Sequence, residues 1–324
     1  MAVLFVTRQI PEVGLQALRA AGHEVVVSDK DGVLTHDELL TALRARPYEG
    51  VVSLLTDQID GSVLDAAPHV RIVANYAVGY NNIALEVMQA RGVVVTNTPG
   101  VLTSSVAEFT LALMFAIAKR IPEADRFTRA GRFEGWAPEL LLGSDLRGKT
   151  LGIIGAGRIG YEVALAAHLG LGMSVVYNDA KASELLESKI PATFYASLDA
   201  MLPVADVVSI HVPLLPATEH LITAERLALM KPSAYLINTA RGPIIDEAAL
   251  IYALKNGVIR GAGLDVFEAE PTISPELLAL DNVIATPHIA SATTETRDKM
   301  ALMVAENIND FFAGIAPTNR VSVV

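Results

Sequence analysis

The stretch Leu-Gly-Ile-Ile-Gly-Ala-Gly-Arg-Ile-Gly at residues 151–160 decides the fold. Leu151–Gly155 reads as a short buried strand, and Gly155, Gly157 and Gly160 follow in a G-x-G-x-x-G pattern. Arg158 and Ile159 open a helical pattern that runs through Ala164 and Ala167. The next apolar run closes on Asp179, 19 residues after Gly160. A glycine-rich turn alone is weak, but strand, glycine turn, helix and acidic strand end in this order predict a dinucleotide-binding βαβ unit. The glycines permit a tight turn and close backbone approach, the helix amino terminus faces a pyrophosphate, and the carboxylate takes ribose hydroxyls. Asp179 repels a 2′-phosphate and favours NAD, whereas Lys181 two residues on leaves NADP as the second choice.

Outward from this unit the chain alternates β-branched runs with helical patterns. Before it, Val3–Thr7, Val25–Ser28, Gly50–Leu55, Arg71–Tyr76 and Val93–Thr98 read as strands. After it come Ser174–Asp179, Asp206–His211, Tyr235–Thr239, Gly261–Val266 and Val283–Thr286. Strands apolar throughout and separated by helices imply an α/β protein whose parallel sheets are covered on both faces. Two doubly wound parallel sheets are therefore expected, the second of them a Rossmann nucleotide-binding domain. Between them lie helical stretches near Ser104–Ile121 and Pro122–Arg132, the first with a capping box at Ser105-Val-Ala-Glu108. The tail Thr293–Phe312 is helical in period with no strand expected after it, so it must dock on a domain already built.

Length fits two domains, since single cores stop growing near about 250 to 300 residues, and this chain has 324, of which 52% are hydrophobic. The formal charge of −11 with no long like-charge run argues against nucleic acid or a membrane surface as a partner. With no cysteine there is no disulfide framework and no thiolate metal site, and no metal is expected. The apolar run Phe109–Ala118 is half the roughly 20 residues that cross a bilayer, and reads as a buried helix. Met1–Ile10 lacks the pattern of an export leader, so a cytoplasmic protein is expected. Gly143–Thr150 fits the P-loop pattern by letter, but it leads into a strand instead of joining a strand to the helix it opens.

Three polar residues stand just past predicted strand ends: Arg241, Glu270 and His288. In an open parallel sheet that edge is where ligands sit, and the glycine turn shares it. A guanidinium can hold a substrate carboxylate and polarise the adjacent carbonyl. An imidazole can protonate the carbonyl oxygen as hydride arrives, and a carboxylate can orient the ring and stabilise its cation. Taken singly, Arg241 reads equally well as a surface ion-pair member, Glu270 as a loop cap and His288 as a turn histidine; their joint placement favours chemistry. His23, His36, His69, His168 and His220 share no motif and read as structural or surface residues, while His211 in His211-Val212-Pro213 lies at a strand end on the cofactor rim.

Asn238-Thr239-Ala240-Arg241-Gly, Gly263-Leu-Asp265-Val-Phe-Glu-Ala-Glu270-Pro and Thr286-Pro-His288-Ile, together with the glycine turn, make a specific set in fixed order. By these motifs the chain resembles the D-isomer-specific 2-hydroxyacid dehydrogenases along its whole length, most of all the glyoxylate/hydroxypyruvate reductase branch. The resemblance implies a flavodoxin-like substrate domain of residues 1–99 and 291–324, completed by the last helix, and a Rossmann nucleotide domain of residues 100–290. It implies Arg241, Glu270 and His288 as substrate-binding, His-supporting and acid/base residues. Gly155, Gly157, Arg158, Ile159, Gly160, Asp179, His211, Val212, Pro213, Thr239, Ala240 and Arg241 would line the cofactor, with Asp265, Thr103 and Val106 on its nicotinamide side. Val78 and Gly79 in Tyr76-Ala-Val-Gly-Tyr80 would bind the substrate carboxylate, and Leu54 the pocket wall.

The implied activity is reduction of a short 2-oxo acid, glyoxylate, hydroxypyruvate or similar, to the D-2-hydroxy acid by a homodimer. Trp136, in the segment between the domains, is a candidate for reaching the partner's pocket. Within the family the alternatives are 2-ketogluconate or another 2-oxo acid; outside enzymes, an NAD-sensing corepressor-like binding protein. Asp179 departs from many members of the reductase branch, which carry a basic or small residue there.

Overall fold

The computed structural model describes residues 1–322 and divides into two compact units, the first Met1–Leu102 with the segment from Ala292 onward, the second Thr103–Ser291. Val323 and Val324, within the expected substrate domain, lie outside the described residues.

The first unit has strands β1 (Val3–Val6), β2 (Glu24–Val27), β3 (Gly50–Ser53), β4 (Ile72–Asn75) and β5 (Val94–Thr96), all parallel, in the order β5-β4-β3-β1-β2. This is the 2-1-3-4-5 doubly wound order of the flavodoxin-like class. Successive residues face opposite sides. Phe5, Val51, Val73 and Val95 pack with Leu39, Leu43 and Met88 on one side, while Leu4 and Ile72 meet Phe312 across Gly50 on the other. The helix Thr294–Phe312, capped by the Thr293 hydroxyl, docks on this unit. A Cβ at Gly14, in the helix Glu12–Ala20, would lie 2.6 Å from the Ala301 carbonyl, so only glycine permits that approach.

The second unit has β6 (Thr150–Ile154), β7 (Ser174–Asn178), β8 (Ala192–Phe194), β9 (Val207–Ile210), β10 (Tyr235–Asn238), β11 (Gly261–Leu264) and β12 (Val283–Ala285). They are all parallel, in the order β12-β11-β10-β9-β6-β7-β8. The sheet runs outward from β6 in two directions, as a Rossmann sheet does, with the switch between β6 and β9. Leu151, Ile153 and Ile237 join the core under the helices Thr103–Ala118 and Arg158–Leu171, whereas Ile154, Val208 and Leu236 join the core on the opposite face. That alternation inside uniformly apolar strands is the mark of a sheet buried on both sides.

Three expectations need correction. A final strand, β13 (Arg320–Val321), follows the last helix after all and pairs antiparallel with β5. At two residues it carries no readable alternation. The short β8 was also missed, because only three residues between loops carry it. The helix expected to start at the Ser105 box begins at Thr103, so Ser105 and Glu108 lie inside it. Among the described residues no helix is long and apolar enough to cross a membrane.

Candidate active site

Thr103 and Val106 stand on the helix Thr103–Ala118, whereas every other predicted site residue of the second unit lies on or just past a loop that leaves the carboxyl end of a parallel strand, so these loops share one sheet edge. The glycine turn follows β6. Gly155 has φ +92° and a Cβ there would sit 2.8–2.9 Å from Val212 and the His211 carbonyl carbon. Gly160 would place a Cβ 2.1 Å from the Gly155 carbonyl oxygen, whereas Gly157 faces open space. Gly155 and Gly160 are thus required by packing, and Gly157 leaves room for a ligand. The helix beginning at Arg158 has no side-chain cap, so its first N–H groups stay available to an anion. Asp179 braces the turn: the Ala156 N–H donates to its Oδ2 (2.8 Å) and the Ala180 N–H to its Oδ1 (2.6 Å). These residues fit the pyrophosphate and ribose of a dinucleotide.

Arg241 follows β10. The Asn238 side chain cross-braces the turn, its Nδ2 donating to the Arg241 carbonyl (2.9 Å) and its Oδ1 accepting from the Ala240 N–H (3.0 Å). Arg241 Nη1 donates to the Ala240 carbonyl (2.6 Å). Burial pushes its pKa down and the charge of Glu270 opposes that shift; the group stays cationic. Gly242 brings the next loop close, since a Cβ there would lie 1.8 Å from the Phe267 carbonyl oxygen.

Glu270 and His288 meet directly, with His288 Nδ1 2.8 Å from Glu270 Oε2. The Phe267 N–H donates to Glu270 Oε1 (3.0 Å). Burial raises the Glu270 pKa, but the His288 hydrogen bond and charge, the Phe267 N–H and Arg241 together carry it below the usual carboxylate value. An ionised carboxylate only accepts, so it fixes the proton on Nδ1 and leaves Nε2 for exchange with a substrate. His288 has φ +55°, held by its N–H donating to the Asp265 carbonyl (2.9 Å) and the Thr286 carbonyl (3.0 Å).

Residues 111–290 match the family described as D-isomer specific 2-hydroxyacid dehydrogenase, NAD binding domain. A glyoxylate reductase of Korarchaeum cryptofilum is 48% identical over 98% of this chain and 95% of its own. The chain belongs to the D-isomer-specific 2-hydroxyacid dehydrogenase family. A solved Thermus thermophilus protein superposes with a TM-score of 0.91 at 43% identity, covering 98% of this chain and 99% of that one. An NADPH-dependent glyoxylate/hydroxypyruvate reductase of Sinorhizobium meliloti, solved with NADP and malonate, has a TM-score of 0.85 at 34% identity, covering 99% and 96%. This dehydrogenase is accordingly an NAD(P)-dependent oxidoreductase that interconverts 2-oxo and 2-hydroxy acids.

The dehydrogenase places Arg241, Glu270 and His288 on adjacent loops of one edge, after β10, β11 and β12. Asp265 has a task besides the implied nicotinamide contact. It is fully buried, and its oxygens accept from the Thr286 hydroxyl (2.7 Å) and the N–H groups of Ile289 (2.9 Å) and Ala290 (2.7 Å), tying down the His288 loop. His211 lies beside the glycine turn, its Nε2 2.8 Å from Ser209 Oγ, and desolvation pushes its pKa down to about 3. Val106 is buried, and its carbonyl accepts from Thr110 Oγ1 (2.7 Å), which also meets Thr239 Oγ1 at 2.9 Å. That buried bond fastens the helix Thr103–Ala118 to the end of β10 and was missed. A hydroxyl at helical spacing gives no hint of a partner 129 residues away.

His220, expected as a structural or surface residue, sits 2.8 Å from Glu268 Oε1, and Glu268 Oε2 accepts from the Glu247 N–H. This second His–Glu pair joins the loops after β9 and β11. Gly143–Thr150 leads into β6 from the opposite edge of the sheet, so it is no P-loop. Among the described residues no group of three His, Asp or Glu side chains is placed to hold a metal ion.

In the first unit, Val78 and Gly79 lie in the loop after β4, and Leu54 in the loop after β3. The Leu54 backbone is committed, its N–H donating to Asp57 Oδ2 (2.7 Å) and its carbonyl accepting from Asn82 Nδ2 (3.0 Å). Only its side chain is left for a ligand.

Proposed function

We propose that this dehydrogenase reduces glyoxylate, hydroxypyruvate or a similarly short 2-oxo acid to the D-2-hydroxy acid. The observation that carries the reading is the 2.8 Å contact of His288 with an ionised Glu270, on the edge shared by Arg241 and an uncapped glycine turn. The glyoxylate reductase relatives, 43–48% identical over 98% of the chain, support the substrate class.

When bound, the nicotinamide supplies the hydride. Arg241 holds the substrate carboxylate and polarises the carbonyl, while in the first unit the N–H groups of the Val78–Gly79 loop are suited to a carboxylate. His288 gives its Nε2 proton to the carbonyl oxygen as negative charge develops there. Glu270 keeps the ring in the productive tautomer and offsets its positive charge before transfer. Thr103 and Val106 belong to the nicotinamide side of the second unit's site, and the Leu54 side chain to a substrate-pocket wall in the first unit. Asp179 accepts the ribose hydroxyls and disfavours a 2′-phosphate, so NADH is preferred over NADPH.

Initial rates with a panel of 2-oxo acids and both nicotinamides, followed by nicotinamide absorbance, test this. Glyoxylate and hydroxypyruvate with NADH are expected to give the highest kcat/KM. A preference for NADPH overturns the role given to Asp179, and failure to turn over any 2-oxo acid overturns the reading. Replacing His288 by Ala is expected to lower kcat by about 10²- to 10⁴-fold.

We also propose a cytoplasmic homodimer built on the irregular stretch after the helix Ile121–Arg129, where Phe133, Trp136 and Leu142 stand 58%, 86% and 56% exposed. Burying these apolar side chains against a second copy supports the reading.

A further inference from the structure

The loop after β4 has all three of its central carbonyls pinned by the protein. The Ala77 carbonyl accepts from the Thr98 N–H (3.0 Å), the Val78 carbonyl from Asn97 Nδ2 (2.8 Å), and the Gly79 carbonyl from Asn75 Nδ2 (2.8 Å). In a trans peptide the N–H points opposite to the carbonyl, and these peptides are trans. The N–H groups of Val78, Gly79 and Tyr80 are therefore turned away from their anchors. Among the described residues none of the three donates to a protein acceptor, and all three residues reach solvent. Successive N–H groups presented outward make an anion-binding concavity.

Two of the three anchors are side chains. Asn75 is fully buried, and the Ser53 hydroxyl donates to its Oδ1 (3.1 Å), which fixes the amide so that its NH₂ faces the Gly79 carbonyl. A carbonyl only accepts, so no flipped amide satisfies both contacts. Asn97, half-buried at the end of β5, acts likewise on the neighbouring peptide. We infer that Asn75 and Asn97 are positioning residues for the substrate carboxylate: they do not touch it, but set the direction of the N–H groups that do. This rests on the proposed reduction of a 2-oxo acid.

The test compares Asn97→Ala, Asn97→Asp and Asn75→Ser with the unaltered enzyme on a 2-oxo acid and on its methyl ester, which lacks the charge the loop recognises. Each variant is expected to lose about tenfold in kcat/KM on the acid, the worth of one misdirected hydrogen bond, chiefly through KM. Ester turnover and the KM for NADH stay unchanged. Oxalate, a dicarboxylate that cannot be reduced, is expected to raise the melting temperature of the unaltered protein and to lose that effect in the variants. Acid and ester rates falling in step, or an undiminished preference for the acid with oxalate still protective, overturns the inference. Should Asn75→Ser fail to fold, the half-buried Asn97 carries the test. If the unaltered enzyme reduces no 2-oxo acid, the proposed function falls, while the oxalate shift still decides whether the two amides organise a carboxylate site.

Discussion

His288 occupies the left-handed region at φ +55°, where a residue with a bulky side chain is strained by about 1–3 kcal/mol. Its N–H bonds to the Asp265 and Thr286 carbonyls, and the grip of Asp265 on residues 286, 289 and 290, hold it there. Asparagine, whose short side chain can hydrogen-bond locally, enters this backbone region readily. His288→Asn is therefore expected to abolish reduction while leaving the melting temperature equal or higher, which calorimetry beside a turnover assay checks. Glu270→Gln keeps the shape of the contact and removes its charge. The imidazolium then loses its counter-charge, so kcat/KM is expected to drop at least tenfold. An unchanged kcat/KM would count against Glu270 acting through the ring.

Gly242 is where two elements meet. A Cβ 1.8 Å from the Phe267 carbonyl oxygen must push apart the loops that carry Arg241 and Glu270. Gly242→Ala is expected to cost about 1–3 kcal/mol in a denaturant titration and to reduce kcat/KM on top of that loss. Wild-type stability and activity together would show that the approach is not needed. At this scale the sequence was informative where patterns are long or chemically singular. Apolar strands of four or five residues, the glycine turn and the strand-end Arg241, Glu270 and His288 could all be read. Contacts made by ordinary residues could not: Thr110 with Thr239, or Asn75 and Asn97 on the loop after β4, involve side chains whose types suit many positions. Ser105 misled because three hydroxyl residues in a row, Thr103 to Ser105, offer the same capping chemistry. β8 and β13 are too short to alternate.

For the whole molecule, His211 links stability to pH. Its pKa is about 3 in the fold against 6.5 ordinarily, so between those values the unfolded chain binds a proton that the folded one does not. Stability must rise with pH across that window and fall on acidification. A urea midpoint measured from pH 4 to 7 is expected to slope less in His211→Gln; parallel slopes would dismiss the histidine as a cause. Trp136 is the chain's one tryptophan and is 86% exposed, so its fluorescence reports on the proposed dimer. Dilution is expected to shift the emission to the red as the mass measured by light scattering halves, and a monomer at all concentrations rules the dimer out.

The first unit is written in two pieces, with the whole of the second unit between them. On a ribosome, the Rossmann sheet emerges in one continuous run and can close as soon as β12 is out. The earlier sheet must wait, with the flank of Gly14 and Gly50 bare, for Ala301 and Phe312 to be synthesised. Although it is translated first, the amino-terminal domain is the last to be finished, and until then its unsealed face is the part of the nascent chain most in need of a chaperone.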